Sequence, residues 1–439
     1  MGNPFSTEVS STQSPLVSLN FNQSPEKLFV FKIRLSEEEK ILAIIKYWLR
    51  ILNIKLGWIH EFDKLVINYA ITFILFDLFH SSSQLINTFT GHTGIVWSID
   101  YSIFDDNQFI CSGSSDKTVR VFDVQNNKQV QSFNGHTDSV NSVKFSPYHY
   151  HNYRQNVICS SSSDNTIRFW DFKYNQQLQL FEGYTSGVGG IEFSPFNCGR
   201  YLCSGLRDNT IRLWDVETHK SLHVFNGHDY SVWCVAISPL QSNNNNDNKS
   251  NNIGVIGGNG YTICSGSVDN TIRIWDIETT KQVIVFKGHK HWIRSVKYGS
   301  NELGNIGCAN TILSGSNDKS VRLWDIRSNK QIQLFNGHTS AVASVEYSPF
   351  IIKNNDEIVG GNSNVICSGS WDTTIQFWDI RSNKNELFVL KGDHMEDTAI
   401  ISLKFASLKK REDYGQKSND GCGVHLYYGS WRGPIRAWG

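Results

Sequence analysis

The chain has 439 residues, more than one ordinary domain, and 13% of them are aromatic while only eight are proline. Its 41 lysines and arginines balance its 41 aspartates and glutamates, so no long-range field steers it onto nucleic acid or an anionic membrane, and neither is an expected partner. Nine cysteines contain no Cys-x-x-Cys pair, which argues against a zinc site and leaves no metal or cofactor implied.

Residues 1–27 are rich in Ser, Asn and Gln and hold too little apolar surface to fold alone, so they read as a disordered lead. Met1-Gly2-Asn3-Pro4-Phe5-Ser6 fits the M-G-x-x-x-[ST] pattern, which makes Gly2 a candidate for myristoylation. One acyl chain with no polybasic partner anchors only marginally. There is no secretory signal pattern. Residues 28–80 switch to a helical period. Ser36 and Glu39 form a capping box, after which Ile41, Leu42, Ile45, Trp48, Leu49 and Leu52 share one face. A second apolar run, Ile59 to Phe79, is densest over 15 residues that still include Asn68 and Asp77. A bilayer span needs about 20, so a short helical extension packed on the rest of the chain is expected, without stable membrane insertion.

From residue 84 onward one sentence is written repeatedly. SGSSDKTVRVFD begins at Ser112, SSSSDNTIRFWD at Ser160, SGLRDNTIRLWD at Ser204, SGSVDNTIRIWD at Ser265, SGSNDKSVRLWD at Ser314 and SGSWDTTIQFWD at Ser368, with a worn copy, GSWRGPIRAW, from Gly429. Each follows a Gly-His pair or its relic, starting at Gly91, Gly135, Gly183, Gly227, Gly288, Gly337 and Gly392, 44 to 61 residues apart. A Gly-His opening and Trp-Asp closing at such a period mark a β-propeller blade. The chain resembles the WD40-repeat family over roughly its last four-fifths. The resemblance implies an all-β, seven-bladed propeller over residues 84–439. The last copy ends at Gly439 without an outer strand, and residues 84–89 look like the outer strands of the other blades, so the N-terminal strand is expected to close the ring. Long hairpins between the inner and next strands, the Asn-rich 240–260 segment among them, are expected on one face, leaving the opposite, top face open.

Every well-formed repeat carries His, Ser, Asp and Trp in order: His136, Ser160, Asp164, Trp170; His228, Ser265, Asp269, Trp275; His289, Ser314, Asp318, Trp324; His338, Ser368, Asp372, Trp378. Taken singly such a set imitates a hydrolase triad. Fourfold repetition points instead to a structural network in which Trp N–H meets Ser, Ser meets one His nitrogen and the other donates to Asp. Phe122, Tyr184, Tyr428 and Arg432 depart from the pattern, so blades one, three and seven are expected to be softer. The recurring arginines at 120, 168, 212, 273, 322 and 436 are expected to pair across strands rather than to form an anion ring. Five cysteines, Cys111, Cys159, Cys203, Cys264 and Cys367, share one repeat position, too far apart between blades to pair, and read as buried thiols of a reducing, cytoplasmic or nuclear setting.

Function is sought where repeats differ. The resemblance implies that partners are gripped on the top face, where Trp97, Arg207, Trp233, Trp292, Arg294, Trp371 and Trp431 stand at ring positions. Trp and Arg dominate binding hot spots. This suggests a non-catalytic scaffold for a peptide or protein domain. As the alternative, Trp324-Asp-Ile-Arg327 and Trp378-Asp-Ile-Arg381 resemble the WDxR signature of propellers that dock on the damage-binding adaptor of cullin-RING ubiquitin ligases, which would make the chain a ligase substrate receptor through Arg327 or Arg381.

Overall fold

Each copy of the repeated sentence folds as two antiparallel strands joined by a tight turn, as in Val157–Ser162 and Ile167–Asp171. The turn needs aspartate because its carboxylate accepts the N–H two residues on, Thr166 N at 3.0 Å from Asp164 Oδ1, an Asx turn. It also needs a residue that tolerates left-handed backbone: Asn165, Asn209 and Asn270 supply it with φ of 66°, 71° and 66°. The computed structural model describes residues 79–81, 83–182, 184–238, 261–299, 310–349, 365–380, 386–392, 397–407 and 424–439. The lead with Gly2, the extension as far as residue 78, the Asn-rich segment and Arg381 lie outside the described residues.

Within them stand seven four-stranded antiparallel sheets. The first strand of each sheet packs on the first strands of its neighbours around a central channel. The fourth strand is the outer one, and in Lys220–Phe225 it carries mostly exposed side chains. In the seventh sheet the order is Leu85–Phe89, Ile435–Trp438, Val424–Ser430, Ile400–Ser407. Leu85 pairs with Trp438 and Phe89 with Ile435, and Gln84 and Gly439 exchange backbone hydrogen bonds at 3.3 Å. The two ends of the chain thus share one blade, which leaves no open sheet edge at the seam.

Blades adhere through aromatic residues set at fixed repeat positions. In blades two to six the Trp meets the Phe of the preceding outer strand, for example Phe133 with Trp170 at 5.0 Å, Phe181 with Trp214 at 5.2 Å and Phe286 with Trp324 at 5.2 Å between centroids. Such pairs add about 0.5–1.5 kcal/mol beyond the area they bury. The Gly of the SGS triplet lets the next inner strand lie flat: a Cβ on Gly113 would meet Val140 at 2.6 Å and one on Gly315 would meet Val342 at 2.8 Å. Blade two has Ser161 there, and its neighbour compensates with Gly189, whose carbonyl accepts the Ser161 hydroxyl at 2.6 Å. Phe79, the start of a helical turn, is fully buried against Phe377 in the cluster joining blades six and seven.

Candidate functional site

The His, Ser, Asp and Trp sets come together as networks. In blade two, His136 Nδ1 donates to Asp164 at 2.8 Å, Nε2 meets the Ser160 hydroxyl at 2.8 Å, and Trp170 Nε1 donates to that same oxygen at 2.7 Å. His228, His289 and His338 repeat this with Ser265, Ser314 and Ser368, Asp269, Asp318 and Asp372, and Trp275, Trp324 and Trp378. Every one of these serines is fully buried, so no substrate reaches the hydroxyl and the resemblance to a triad ends there. In blade one the chain His92, Ser112, Asp116 forms as well, with Phe122 packing on Phe89 in place of the indole bond. Four of the six strand arginines pair across to the outer strand, Arg120 to Gln129 at 2.6 Å, Arg168 to Gln177 at 2.9 Å, Arg273 to Gln282 at 2.6 Å and Arg322 to Gln331 at 2.7 Å, whereas Arg212 lies 3.9 Å from Asp208 of its own turn and Arg436 bonds Asp397.

These networks set a pH dependence. Burial pushes the imidazoles of His92, His136, His228 and His289 below their ordinary value, against the opposing pull of their aspartates. Burial alone would raise the aspartate carboxyls, but the histidine hydrogen bond and charge together with the Thr or Ser hydroxyl and backbone hydrogen bonds outweigh it and hold them well below the carboxylate range. Both folded-state values lie beneath the unfolded ones, so stability present above about pH 6.5 is lost on acidification, with the aspartates adding to the loss only below about pH 4. Each histidine contributes a slope of up to roughly 1.4 kcal/mol per pH unit. A melting temperature that falls between pH 7 and pH 5 is the expected result; a flat profile would contradict the neutral assignment.

The top face is built by one recurring irregularity. In every inner strand the register slips by a residue, between Val96 and Ser98, Val140 and Ser142, Val232 and Cys234, Ile293 and Ser295, Val342 and Ser344, and Ile400 and Ser402, with a longer slip between Val188 and Ile191. A bulge re-aims the extra side chain. The seven bulge residues are Trp97, Asn141, Gly189, Trp233, Arg294, Ala343 and Ile401, and all of them line the channel. A second ring comes from the strand turns. Ser115, Ser163, Arg207, Val268, Asn317, Trp371 and Trp431 each donate a backbone N–H to the carbonyl two residues ahead of the bulge. Both rings are therefore fixed by backbone, and only their side chains vary.

Those side chains meet over the mouth. Trp97 of blade one touches Trp233 of blade four edge-on at 6.2 Å, across the channel, and Trp431 at 6.4 Å. Trp431 touches Trp371 at 5.4 Å. The Arg294 guanidinium lies 4.9, 5.5 and 5.3 Å from the rings of Trp233, Trp292 and Trp371, and Arg207 lies 5.9 Å from Trp233 while donating to Ser163 at 2.9 Å. The predicted residues thus form one continuous patch, with Trp97, Trp233 and Trp371 half-buried and Trp292 and Trp431 each 39% exposed.

Below this roof the channel holds a feature the repeats had concealed. The residues facing the shared cysteine position are Asp100, Lys144, Glu192, Ala236, Lys297, Glu346 and Lys404. They make ion pairs between adjacent blades: Lys144 with Glu192 at 2.8 Å, Lys297 with Glu346 at 2.9 Å and Lys404 with Asp100 at 2.9 Å. Asp100 also accepts the Phe145 N–H of blade two at 3.1 Å. Burial would raise the Asp100 carboxyl, but Lys404 and Lys144 lower it on balance. Lys404 is held above its ordinary value, chiefly by Asp100.

Blade seven replaces the missing network by another. Asp397, from the loop that supplies histidine in other blades, is fully buried and accepts from Tyr428 Oη at 2.8 Å and Arg436 Nε at 2.7 Å. Asp397 is a partner that the altered loop spacing hid in the sequence. Arg327 sits on the opposite face, exposed; with the Asn310 amide oxygen turned toward it, Nε and Nη2 both donate at 3.0 Å. The five repeat-position cysteines are free and buried, and burial raises their thiols. Among the described residues no group of three or more His, Cys, Asp or Glu is placed to hold a metal, and no helix is long and apolar enough to cross a membrane.

The model of the family described as WD domain, G-beta repeat, WD40, matches residues 83–123, 127–171, 175–215, 219–276, 280–325 and 329–379. The three strands of blade seven that carry the altered network, within residues 400–438, lie outside those matches, while its closing strand Leu85–Phe89 falls inside the first. Over 82 residues the chain is 39% identical to a Zea mays protein named guanine nucleotide-binding protein subunit beta, a stretch that is 17% of this chain and 21% of that protein. Over 82 residues it is 37% identical to the protein of the same name from Oryza sativa subsp. japonica, again 17% and 21%. The chain therefore spans about a fifth of the length of these relatives.

Proposed function

The chain belongs to the WD40-repeat family, and from that premise we propose that it is a non-catalytic scaffold that grips a peptide or protein domain on its top face through Trp97, Arg207, Trp233, Trp292, Arg294, Trp371 and Trp431. The observation that carries this reading is the merging of five indoles and two guanidiniums into one patch at positions where the fold fixes the backbone and leaves the side chain free. Large rigid side chains held in advance lose little entropy on binding, which is what makes such clusters hot spots. The relatives named as subunits of a larger protein agree with a partner-binding role. Buried free thiols suit the reducing cytoplasm or nucleus.

The test is affinity purification of the full chain against Trp233→Ala with Trp371→Ala. Circular dichroism verifies the fold, and partner recovery is expected to drop by roughly tenfold or more, since each truncated hot-spot aromatic typically loses 2 kcal/mol or more. Unchanged recovery would refute the reading. The substrate-receptor alternative has only Arg327 among the described residues to carry it, and that guanidinium is already engaged by Asn310, so the top face is the better supported site.

A further inference from the structure

The Arg294 side chain is an unusual place to keep a charge. Nε donates to Asn317 at 2.8 Å, the three indoles of Trp233, Trp292 and Trp371 surround the group, and burial lowers its affinity for its proton. No carboxylate among the described residues pairs with it. The two Nη nitrogens remain for a ligand, in the planar fork that matches a carboxylate in bidentate fashion. Trp292 also lines a recess of about 460 Å³, together with Tyr230, Val268, Asn270, Lys290 and His291. Tyr230 is 62% exposed there, and the buried Asn270 Oδ1 has no hydrogen-bond partner. Two exposed aromatic rings with Val268 beside them form an apolar seat with a polar edge. Asp229, the acid beside this seat in sequence, lies 3.6 Å from Arg273.

We propose, resting on the top-face reading above, that the partner is recognised through a short acidic motif: one carboxylate on Arg294, and an apolar or aromatic side chain a few residues away seated between Tyr230 and Trp292. Trp292 borders both subsites, its ring 5.5 Å from the guanidinium, and an extended peptide advances about 3.3 Å per residue, so a spacing of one to three residues fits. A carboxylate is favoured over a phosphate because it brings one negative charge to one partly desolvated guanidinium. A phosphoryl group, at about −1.5 to −2, would leave charge uncompensated among indoles. Lys290 at the edge of the recess favours further acidic residues in the flank.

The experiment uses the full chain and fluorescein-labelled, end-capped octapeptides in which a fixed Glu and a fixed Phe are separated by one to three serines. Twins carry Gln for Glu, phosphoserine for Glu, or Ser for Phe. By anisotropy the Glu peptide of the right spacing binds, and its Gln twin binds roughly tenfold weaker or worse, as loss of a charge-assisted bidentate contact requires. Arg294→Met erases the difference between the twins, and Trp292→Ala erases the difference between Phe and Ser. Equal binding of the Glu and Gln peptides to the wild-type chain overturns the proposal, and that comparison needs no variant to fold. Tighter binding of the phosphoserine twin assigns the site to phosphate and overturns it too, as does the absence of binding by every peptide. If partner capture still requires Trp233 and Trp371 while the twins bind alike, only the acidic motif fails. If capture ignores those tryptophans, the top-face reading itself has failed.

Discussion

Replacing Asp397 by alanine is expected to destabilise the protein by about 3–5 kcal/mol, the range for stranding one partner of a buried ion pair. Asp397 is fully buried and Arg436, to which it is bonded at 2.7 Å, is 5% exposed. Without the carboxylate the guanidinium stays in the core with no counter-charge at this bond, and Tyr428 Oη loses its acceptor at 2.8 Å. The damage falls at the seam, because Thr88 of the closing strand pairs with Arg436 itself. Asp397→Asn, which keeps an acceptor but no charge, is expected to fall between the two. Urea denaturation gives the free energies, and hydrogen exchange at residues 85–89 is expected to speed up before that of the other blades. A loss under 1 kcal/mol with unchanged exchange would show that the seam does not depend on this residue.

The second large effect is expected from Asp100→Ala, at about 2–3 kcal/mol. This is below the full cost of breaking a buried pair because Lys404 keeps 27% of its side-chain surface toward the channel. Two contacts to other blades go at once, Lys404 of blade seven and the Phe145 amide of blade two. Adding Lys404→Met is expected to restore part of the loss, since it removes the stranded ammonium; the double-mutant cycle measures the coupling. The carboxyl is depressed in the fold, so its contribution is present above its unfolded value near 4 and disappears as pH falls through the folded one. Wild type and variant are therefore expected to converge in strong acid. Additive single effects across the cycle would dismiss the pair as a source of stability.

The repeat made most of the architecture legible. Spacing, glycines and the Ser-x-Asp turn each have a local cause, and a local cause repeats visibly: blade number, the fourfold networks and the cross-strand arginines all follow from it. The top-face positions were legible as well, because a bulge recurs at one place in each copy. What their side chains do there was not. Trp97 and Trp233 are 136 residues apart in sequence and come within 6.2 Å only because the ring closes. Asp397 was hidden by a loop that shifts it out of register with the histidines. The channel charges had a signal that comparison down the repeats would have found, since the residues opposite the shared cysteine position read Asp, Lys, Glu, Ala, Lys, Glu, Lys.

That last series has a consequence of arithmetic. Signs that alternate around a circle can close only when the number of stations is even, and here there are seven. Ala236 is the blank that absorbs the odd place: it stands between Glu192 and Lys297, and every other neighbour differs in sign. Delete the first, second, sixth or seventh blade and two like charges become neighbours in a narrow, poorly solvated bore; delete the fourth and the alternation survives. The necklace thus opposes the loss of four particular blades out of seven, and does so independently of the strand that fastens the clasp.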